Sequence, residues 1–261
     1  MKKIGLALGG GGARGLCHIE FCRALDELEI RPCVIAGTSI GAIVGAFYAA
    51  GMSGSEMIQL SEKLGFLEYT KMMDLSIFSR TGLVKGKAVV DFLKKHLPQS
   101  NFSGLKIPLK IVATDFWQRK PVVFSSGKLL PAIRASISVP GLFEPYSYGG
   151  RTMVDGGAVD PLPMGVIREQ CDILIAIDVT GTHAPPKKAK LPSLFENLMG
   201  WTLIMQSVLI EQHRELYNPE IYVKPELQDI QILDFHRDKE IRRSVKEQVR
   251  NFKQRLKKLT A

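Results

Sequence analysis

The sequence contains no apolar run near the ~20 residues that a membrane-spanning helix needs. It begins M-K-K-I-G-L-A-L and turns to glycine after four or five apolar positions, too few for a signal-peptide core, and no small-residue cleavage site follows. The expectation is a protein made and kept in the cytoplasm, with at most a peripheral place on the inner face of the membrane. The four cysteines, Cys17, Cys22, Cys33 and Cys171, lack metal-site spacing and lie in or beside apolar segments, so they are expected to be reduced and buried. A broad basic face is missing too. Of the net charge of +9, residues 238–261 carry +6, and the remaining 26 basic and 23 acidic groups nearly cancel. That balance excludes nucleic acid as a partner held by general charge. Repeats and low-complexity blocks are absent, and the one linker-like stretch, T-G-T-H-A-P-P-K-K-A-K at 180–190, reads as a mobile surface loop.

What is present is an alternation of strands and helices. Short apolar runs at 3–8, 33–36, 109–114 and 172–179 read as strands, and 120–125 and 144–154 as extra strands, the second with Y-G-G-R at its tip. Helical patterns fall at 13–29, 39–51, 54–65, 86–97, 128–138 and 161–169. The βαβα order predicts an α/β protein, a mainly parallel sheet sandwiched by helices. At 261 residues the chain is long enough to bury a sizeable core.

Four glycines at 9–12 open the loop after the first strand. Gly10, Gly12 and Gly15 satisfy G-x-G-x-x-G, yet the acid that a dinucleotide site places about 20 residues on is missing, as is the G-K-[ST] of a phosphate loop. The second strand ends instead in Gly37-Thr38-Ser39-Ile40-Gly41, followed by an Ala/Gly-rich helix. A G-x-S-x-G in that context forms a nucleophile elbow: a sharp turn lifts the serine Oγ clear of the sheet, flanking glycines admit close backbone packing, and the helix end adds positive potential. A tight turn with a capping serine is the plainer reading of the same five residues.

A nucleophilic serine needs a base and a site for the oxyanion. His18 and His96 lie in helices; a Ser-Asp-His triad would require His183, His213 or His236. Among the acids, Asp155 ends an apolar strand and is followed by Gly156 and Gly157, a turn that would fix its carboxylate on the rim that carries Ser39. Asp115 and Asp178 also end strands, without the glycine turn, and capping or loop hydrogen bonding accounts for them. Gly10, Gly11 and Gly12 have no side chains, so their N–H groups can close on an oxyanion at the serine. Arg14 either adds charge there or pairs with a structural carboxylate.

Together, G-G-G-A-R-G at 10–15, G-T-S-I-G at 37–41 and D-G-G at 155–157 resemble the patatin-like phospholipases, and the segments A-S-I-S-V-P-G-L-F-E-P (135–145), G-L-V-K-G (82–86) and I-L-I-A-I-D-V (173–179) extend the likeness to residues 3–180. The resemblance implies a three-layer α/β/α fold with a catalytic core over 1–180, while 181–261 supplies a loop and C-terminal helices packed on the same domain. It implies a Ser39–Asp155 dyad without histidine, an oxyanion loop of Gly11, Gly12 and Arg14, and hydrolysis of lipid or lysolipid esters through an acyl-enzyme with no metal or other cofactor. Gly15, Gly37, Gly41, Gly156 and Gly157 support these motifs. D-G-G stands where many members have D-G-A. With an ordinary carboxylate pKa of ~3.9 the base would be weak, so oxyanion stabilisation must carry much of the barrier. A catalytically silent relative and a nucleotide-binding protein remain the rival functions.

Two further segments bear on lipid access. Residues 191–210 hold one charge in twenty, with Leu194, Leu198, Trp201, Met205 and Val208 at helical spacing: a core helix first, a lid or membrane-dipping segment second. In the basic tail, Ile241, Val245, Val249, Phe252, Leu256 and Leu259 form one stripe, a surface helix or one lying on an anionic bilayer.

Overall fold

Residues 2–63, 86–181, 191–227 and 229–260 are described in the computed structural model. The apolar runs become strands with both faces covered: β1 (Ile4–Leu8), β2 (Val34–Thr38) and β3 (Leu109–Asp115), later joined by β7 (Ile173–Ile177). β4 (Lys120–Phe124), β5 (Tyr146–Tyr148), β6 (Arg151–Asp155) and β8 (Ile221–Val223) complete one sheet, ordered β5-β6-β3-β2-β1-β7-β8 with β4 also on β3. The five strands from β3 to β8 in that order run parallel, while β4, β5 and β6 are antiparallel additions at one edge.

The helices are α1 (His18–Glu27), α2 (Ile40–Ala49), α3 (Gly54–Lys63), α4 (Lys87–His96), α5 (Leu129–Ser136), α6 (Leu194–Tyr217), α7 (Asp238–Ser244) and α8 (Lys246–Thr260). Alternation along the strands sorts them into two layers. Leu6, Leu8, Ile35, Ile175 and Ile177 face a large core shared with α1 to α5, α7 and α8. Ala7, Ala36, Leu174 and Ala176 face a flatter layer of Leu162, Met164, Ile167 and Ile210 of α6. Small residues on that face let a backbone segment and one helix lie close to the sheet.

Three expectations are corrected. Residues 161–167 form turns, and only a short 3-10 helix at Arg168–Gln170 follows, in place of the expected α-helix, because Pro161 and Pro163 supply no N–H and Gly165 follows. The first helix starts only at His18, after a tight 3-10 turn over Gly12–Cys17. The tail is two helices broken at Val245, and β8 lacked a sequence signature. Most of the 180–190 loop, and 64–65 of the third expected helix, lie outside the described residues. Cys17, Cys22 and Cys171 are buried free thiols, and Cys33 is half-buried.

The register around β3 matters most. β2 pairs with Leu109–Val112 and β6 with Ala113–Asp115, whereas β4 pairs with Ile111–Asp115. Since β4 overlaps both partners, it occupies one edge of β3, and β2 and β6 meet end to end on the other. Thr38 pairs with Val112 and Asp155 with Ala113. The ends of two strands distant in sequence are thus juxtaposed.

The C-terminal helices pack against the body. Phe252 is fully buried with its ring 5.4 Å from Phe21 in an edge-to-face contact. Buried Arg242 bridges Asp238 of α7 at 2.9 Å, Glu20 of α1 at 3.2 Å and Glu62 of α3 at 3.0 Å. Phe252→Ala should lose about 3–5 kcal/mol of stability, with urea unfolding remaining one transition followed by tryptophan fluorescence and by far-ultraviolet dichroism. Two separated transitions would mean that α7 and α8 form a unit of their own.

Candidate active site

Ser39 stands between β2 and α2 with φ +56° and ψ −122°. A non-glycine residue there is strained by about 1–3 kcal/mol, and the neighbours hold it. Its N–H donates to Ser136 Oγ at 2.8 Å, and that hydroxyl donates to Val112 O of β3 at 2.6 Å. Thr38 Oγ1 donates to Asp160 O at 2.8 Å on the preceding residue's side. Gly41 is required because a Cβ there would collide with the Leu8 carbonyl. The turn is locked between β1 and β3.

The glycine loop lies beside it. A Cβ on Gly10 would be 3.3 Å from Ser39 Cβ. The N–H groups divide: Gly9 donates to Ile177 O at 3.1 Å, Gly10 to Pro161 O at 2.9 Å and Ala13 to Ile232 O at 2.9 Å. The N–H groups of Gly11 and Gly12 are left without an acceptor among the described residues. So the expectation for Gly10 is corrected: its amide anchors the loop rather than facing the site. The Arg14 side chain is also elsewhere. It is buried, donating from Nε to Ile230 O at 2.8 Å and from Nη1 to Thr180 O at 2.7 Å. It is not part of the wall around Ser39 and forms no salt bridge among the described residues, although Asp234 and Asp178 act on its charge; it clamps backbone from the last third of the chain to the loop. Gly15 packs on Ile40, and Gly37 on the backbone of Gly41.

Asp155 is buried at the end of β6. Its Oδ1 accepts the Gly157 N–H at 2.7 Å, while Oδ2 has no fully formed hydrogen bond. Burial raises its pKa to about 6, and the neighbouring Ser39 hydroxyl and the Gly157 amide partly oppose that rise. The rival acids are saturated. Asp115 accepts the N–H groups of Trp117 and Gln118, and Asp178 is bonded by Thr180, Tyr222 and Lys224. Gly156 fits against Val112 O and Thr38 where β2 meets β6. The histidines are placed apart. His18 is buried on Gly9 O at 2.9 Å, its pKa lowered to about 4 by desolvation. His213 faces Asp160 at 3.4 Å, and the carboxylate raises its pKa. His96 packs against Phe92 with the rings tilted by 40°, His236 is exposed, and His183 lies outside the described residues.

Ser39, Asp155, Gly10, Gly11 and Gly12 line a cavity of about 330 Å³ roofed by α6. Sequence reasoning missed Ser136 and Gln206, although Ser136 sits inside a quoted segment and a polar residue in a helix as apolar as α6 was a usable signal. A Cβ on Gly157 would stand 2.5 Å from Gln206 Nε2 and 2.9 Å from Asp155 Oδ1. An alanine here would displace Gln206 and crowd the carboxylate, so the D-G-G variation is coupled to α6. The reading of 191–210 as a core helix is corrected: Leu203 and Ile210 are buried, but Leu194, Leu198, Trp201, Ile204, Met205 and Val208 face outward. The tail stripe is the reverse case, with Ile241, Val245, Val249, Phe252 and Leu256 buried in the body. Its apolar face is occupied by the protein itself. Among the described residues, no helix is long and apolar enough to cross a membrane.

The sequence profile described as patatin-like phospholipase matches residues 6–167. An uncharacterised NTE family protein of Mycobacterium tuberculosis is 37% identical over 193 residues, covering 74% of this chain and 53% of that protein. Patatin-like phospholipase domain-containing protein 7 of Rattus norvegicus is 32% identical over 208 residues, 77% of this chain and 15% of that protein. The chain thus spans about half the length of the mycobacterial relative. The crystal structure of VipD from Legionella pneumophila shares the fold, with a TM-score of 0.53 at 13% identity over 96% of this chain and 67% of that one.

Because Asp155 titrates near 6 when folded against an ordinary value of 3.8, its ionisation opposes folding above about pH 4, fully so above pH 6. Asp155→Asn keeps the acceptor for Gly157. It should therefore be more stable than wild type at pH 8, by up to about 2–3 kcal/mol, with the difference vanishing near pH 3.5 in thermal melts.

Proposed function

The chain belongs to the patatin-like phospholipase family, and on that premise we propose that it hydrolyses carboxylic esters of lipids through Ser39 and Asp155. The observation that carries this reading is the buried Asp155, whose under-bonded Oδ2 neighbours a strained serine beside two unused backbone amides. Asp155 takes the Ser39 proton as Oγ attacks the ester carbonyl. The N–H groups of Gly11 and Gly12, aided by the amino end of α2, receive the oxyanion. Collapse of the tetrahedral adduct breaks the C–O bond, and Asp155 returns the proton to the departing alcohol or lysolipid. Water then gives a proton to Asp155 and attacks the acyl-serine, and collapse releases the fatty acid and restores the Ser39 hydroxyl.

Burial makes the base better suited than an ordinary carboxylate, since a pKa of about 6 lies closer to neutral working pH. Oxyanion stabilisation still carries much of the barrier, which favours esters over the poorer leaving group of amides. A fluorophosphonate should label wild type but not Ser39→Ala. Asp155→Asn should lose at least 10³-fold in kcat/KM, and His213→Ala should retain most activity, because His213 answers to Asp160. Below about pH 6, kcat/KM should fall tenfold per unit as the base protonates. Activity lost with His213 and kept with Asp155→Asn would restore a triad.

The substrate is met, on this reading, at a lipid surface. α6 turns an apolar stripe outward on its free side, and Trp201 and Met205 of that stripe also border the Ser39 cavity, so docking brings the cavity mouth to the lipid. Leu194 and Leu198 belong to the stripe but not to the cavity wall. Leu194→Asp/Leu198→Asp should reduce sedimentation with phosphatidylglycerol-containing vesicles at least fivefold, while hydrolysis of water-soluble p-nitrophenyl butyrate stays within twofold of wild type.

A further inference from the structure

A second cavity, of about 150 Å³, lies behind the serine among α2, α3 and α4. Among the described residues its wall is apolar apart from Ser61, built around Ile43, Val44, Phe47, Val89 and Phe92. The two cavities are close neighbours. Ser39 borders the first and Ile40 the second; Val139 and Leu142 border the first, and Ile137 and Phe143 the second. Phe235 alone belongs to both described walls. It stands on a short turn, Phe235–Arg237, outside the sheet and the longer helices. The space is open on one side rather than sealed, and an apolar hollow of this size beside Ser39 gains free energy by taking an apolar occupant out of water.

We propose that this second cavity receives the distal end of the substrate's acyl chain, and that the Phe235 ring is the partition the chain passes. The inference rests on the ester-hydrolase reading of Ser39 and adds the acyl specificity of that site. The occupant follows from chemistry and position. A wall with one hydroxyl offers nothing to a sugar, phosphate or headgroup, whereas methylene groups gain both desolvation and dispersion there. The polar edge of the site, with Asp155 and Gln206, lies in the first cavity, where the ester and the alcohol belong. An apolar cavity of ~150 Å³ holds a guest of about six carbons. Chains too short to pass Phe235 therefore gain nothing from the second cavity, and chains of roughly eight to twelve carbons fill it.

The test is a p-nitrophenyl ester series on the full chain, from butyrate to palmitate, with Val89→Phe to fill the second cavity and Phe235→Ala to open the partition. The decanoate-to-butyrate ratio of kcat/KM should fall at least tenfold in Val89→Phe. In Phe235→Ala the optimum should shift to longer chains. As a readout independent of turnover, the fluorescent fatty acid cis-parinaric acid should bind the Ser39→Ala protein, and adding Val89→Phe should weaken that binding at least fivefold. Unchanged chain-length profiles together with unchanged parinarate binding would overturn the proposal. If no ester is hydrolysed and Ser39 takes no fluorophosphonate, the hydrolase reading fails. Loss of parinarate binding in the Val89→Phe protein would still establish the second cavity as the apolar site.

Discussion

The end-to-end meeting of β2 and β6 on one edge of β3 is the constraint from which the site follows. A parallel strand that simply continued would carry Ser39 away from any partner, and an antiparallel strand on the far edge would put Asp155 across the sheet. Because β2 stops at Thr38, opposite Val112, and β6 arrives opposite Ala113, a hydroxyl and a carboxylate separated by 116 positions share one rim. Val112 serves this junction twice, pairing with Thr38 and accepting the Ser136 hydroxyl that holds the Ser39 amide. Glycine at 156 keeps the junction tight.

The site keeps features that oppose folding: a serine at positive φ, a buried carboxylate with an under-bonded oxygen, and two amides without acceptors among the described residues. Each is the kind of defect that a purely structural region removes. They persist because the surroundings over-determine them: β1, β2, β3 and β7 are buried on both faces, and the loop amides on either side of the unused pair, Gly10 and Ala13, are anchored to Pro161 and Ile232. Preorganised, unsatisfied donors and a desolvated carboxylate would need no rearrangement if charge developed beside them, the condition under which electrostatic stabilisation is largest.

Much of this was legible in the sequence because it is written in local patterns. Buried parallel strands are continuous apolar runs, and β1, β2, β3 and β7 lie within two residues of their expected bounds. The three motifs are backbone requirements, so they survive as glycine spacings; Gly41 is an example, with the Leu8 carbonyl where a side chain would be. What escaped was tertiary. Nothing near Arg14 announces that its partners are the carbonyls of Thr180 and Ile230, and nothing in the spacing of Gly10 and Gly11 tells which amide is already bonded. The apolar periodicities of 191–210 and 241–256 look alike, yet one faces outward and the other is buried, because a period gives the face of a helix and not what covers it. The second cavity is likewise a property of packing among α2, α3 and α4, with no trace in any one of them.

The Arg14 clamp makes the glycine loop depend on the integrity of the whole chain. The glycine loop lies around residue 12, but the Arg14 side chain beside it is held by carbonyls 166 and 216 positions further along the chain, at Thr180 and Ile230, and Ile232 O receives the Ala13 N–H. Ser39, Asp155 and the elbow all lie before residue 158, whereas the glycine loop beside them draws its anchors from Pro161, Ile177, Thr180, Ile230 and Ile232. A chain cut after the Asp155 turn would keep Ser39 and Asp155 and lose every one of these anchors.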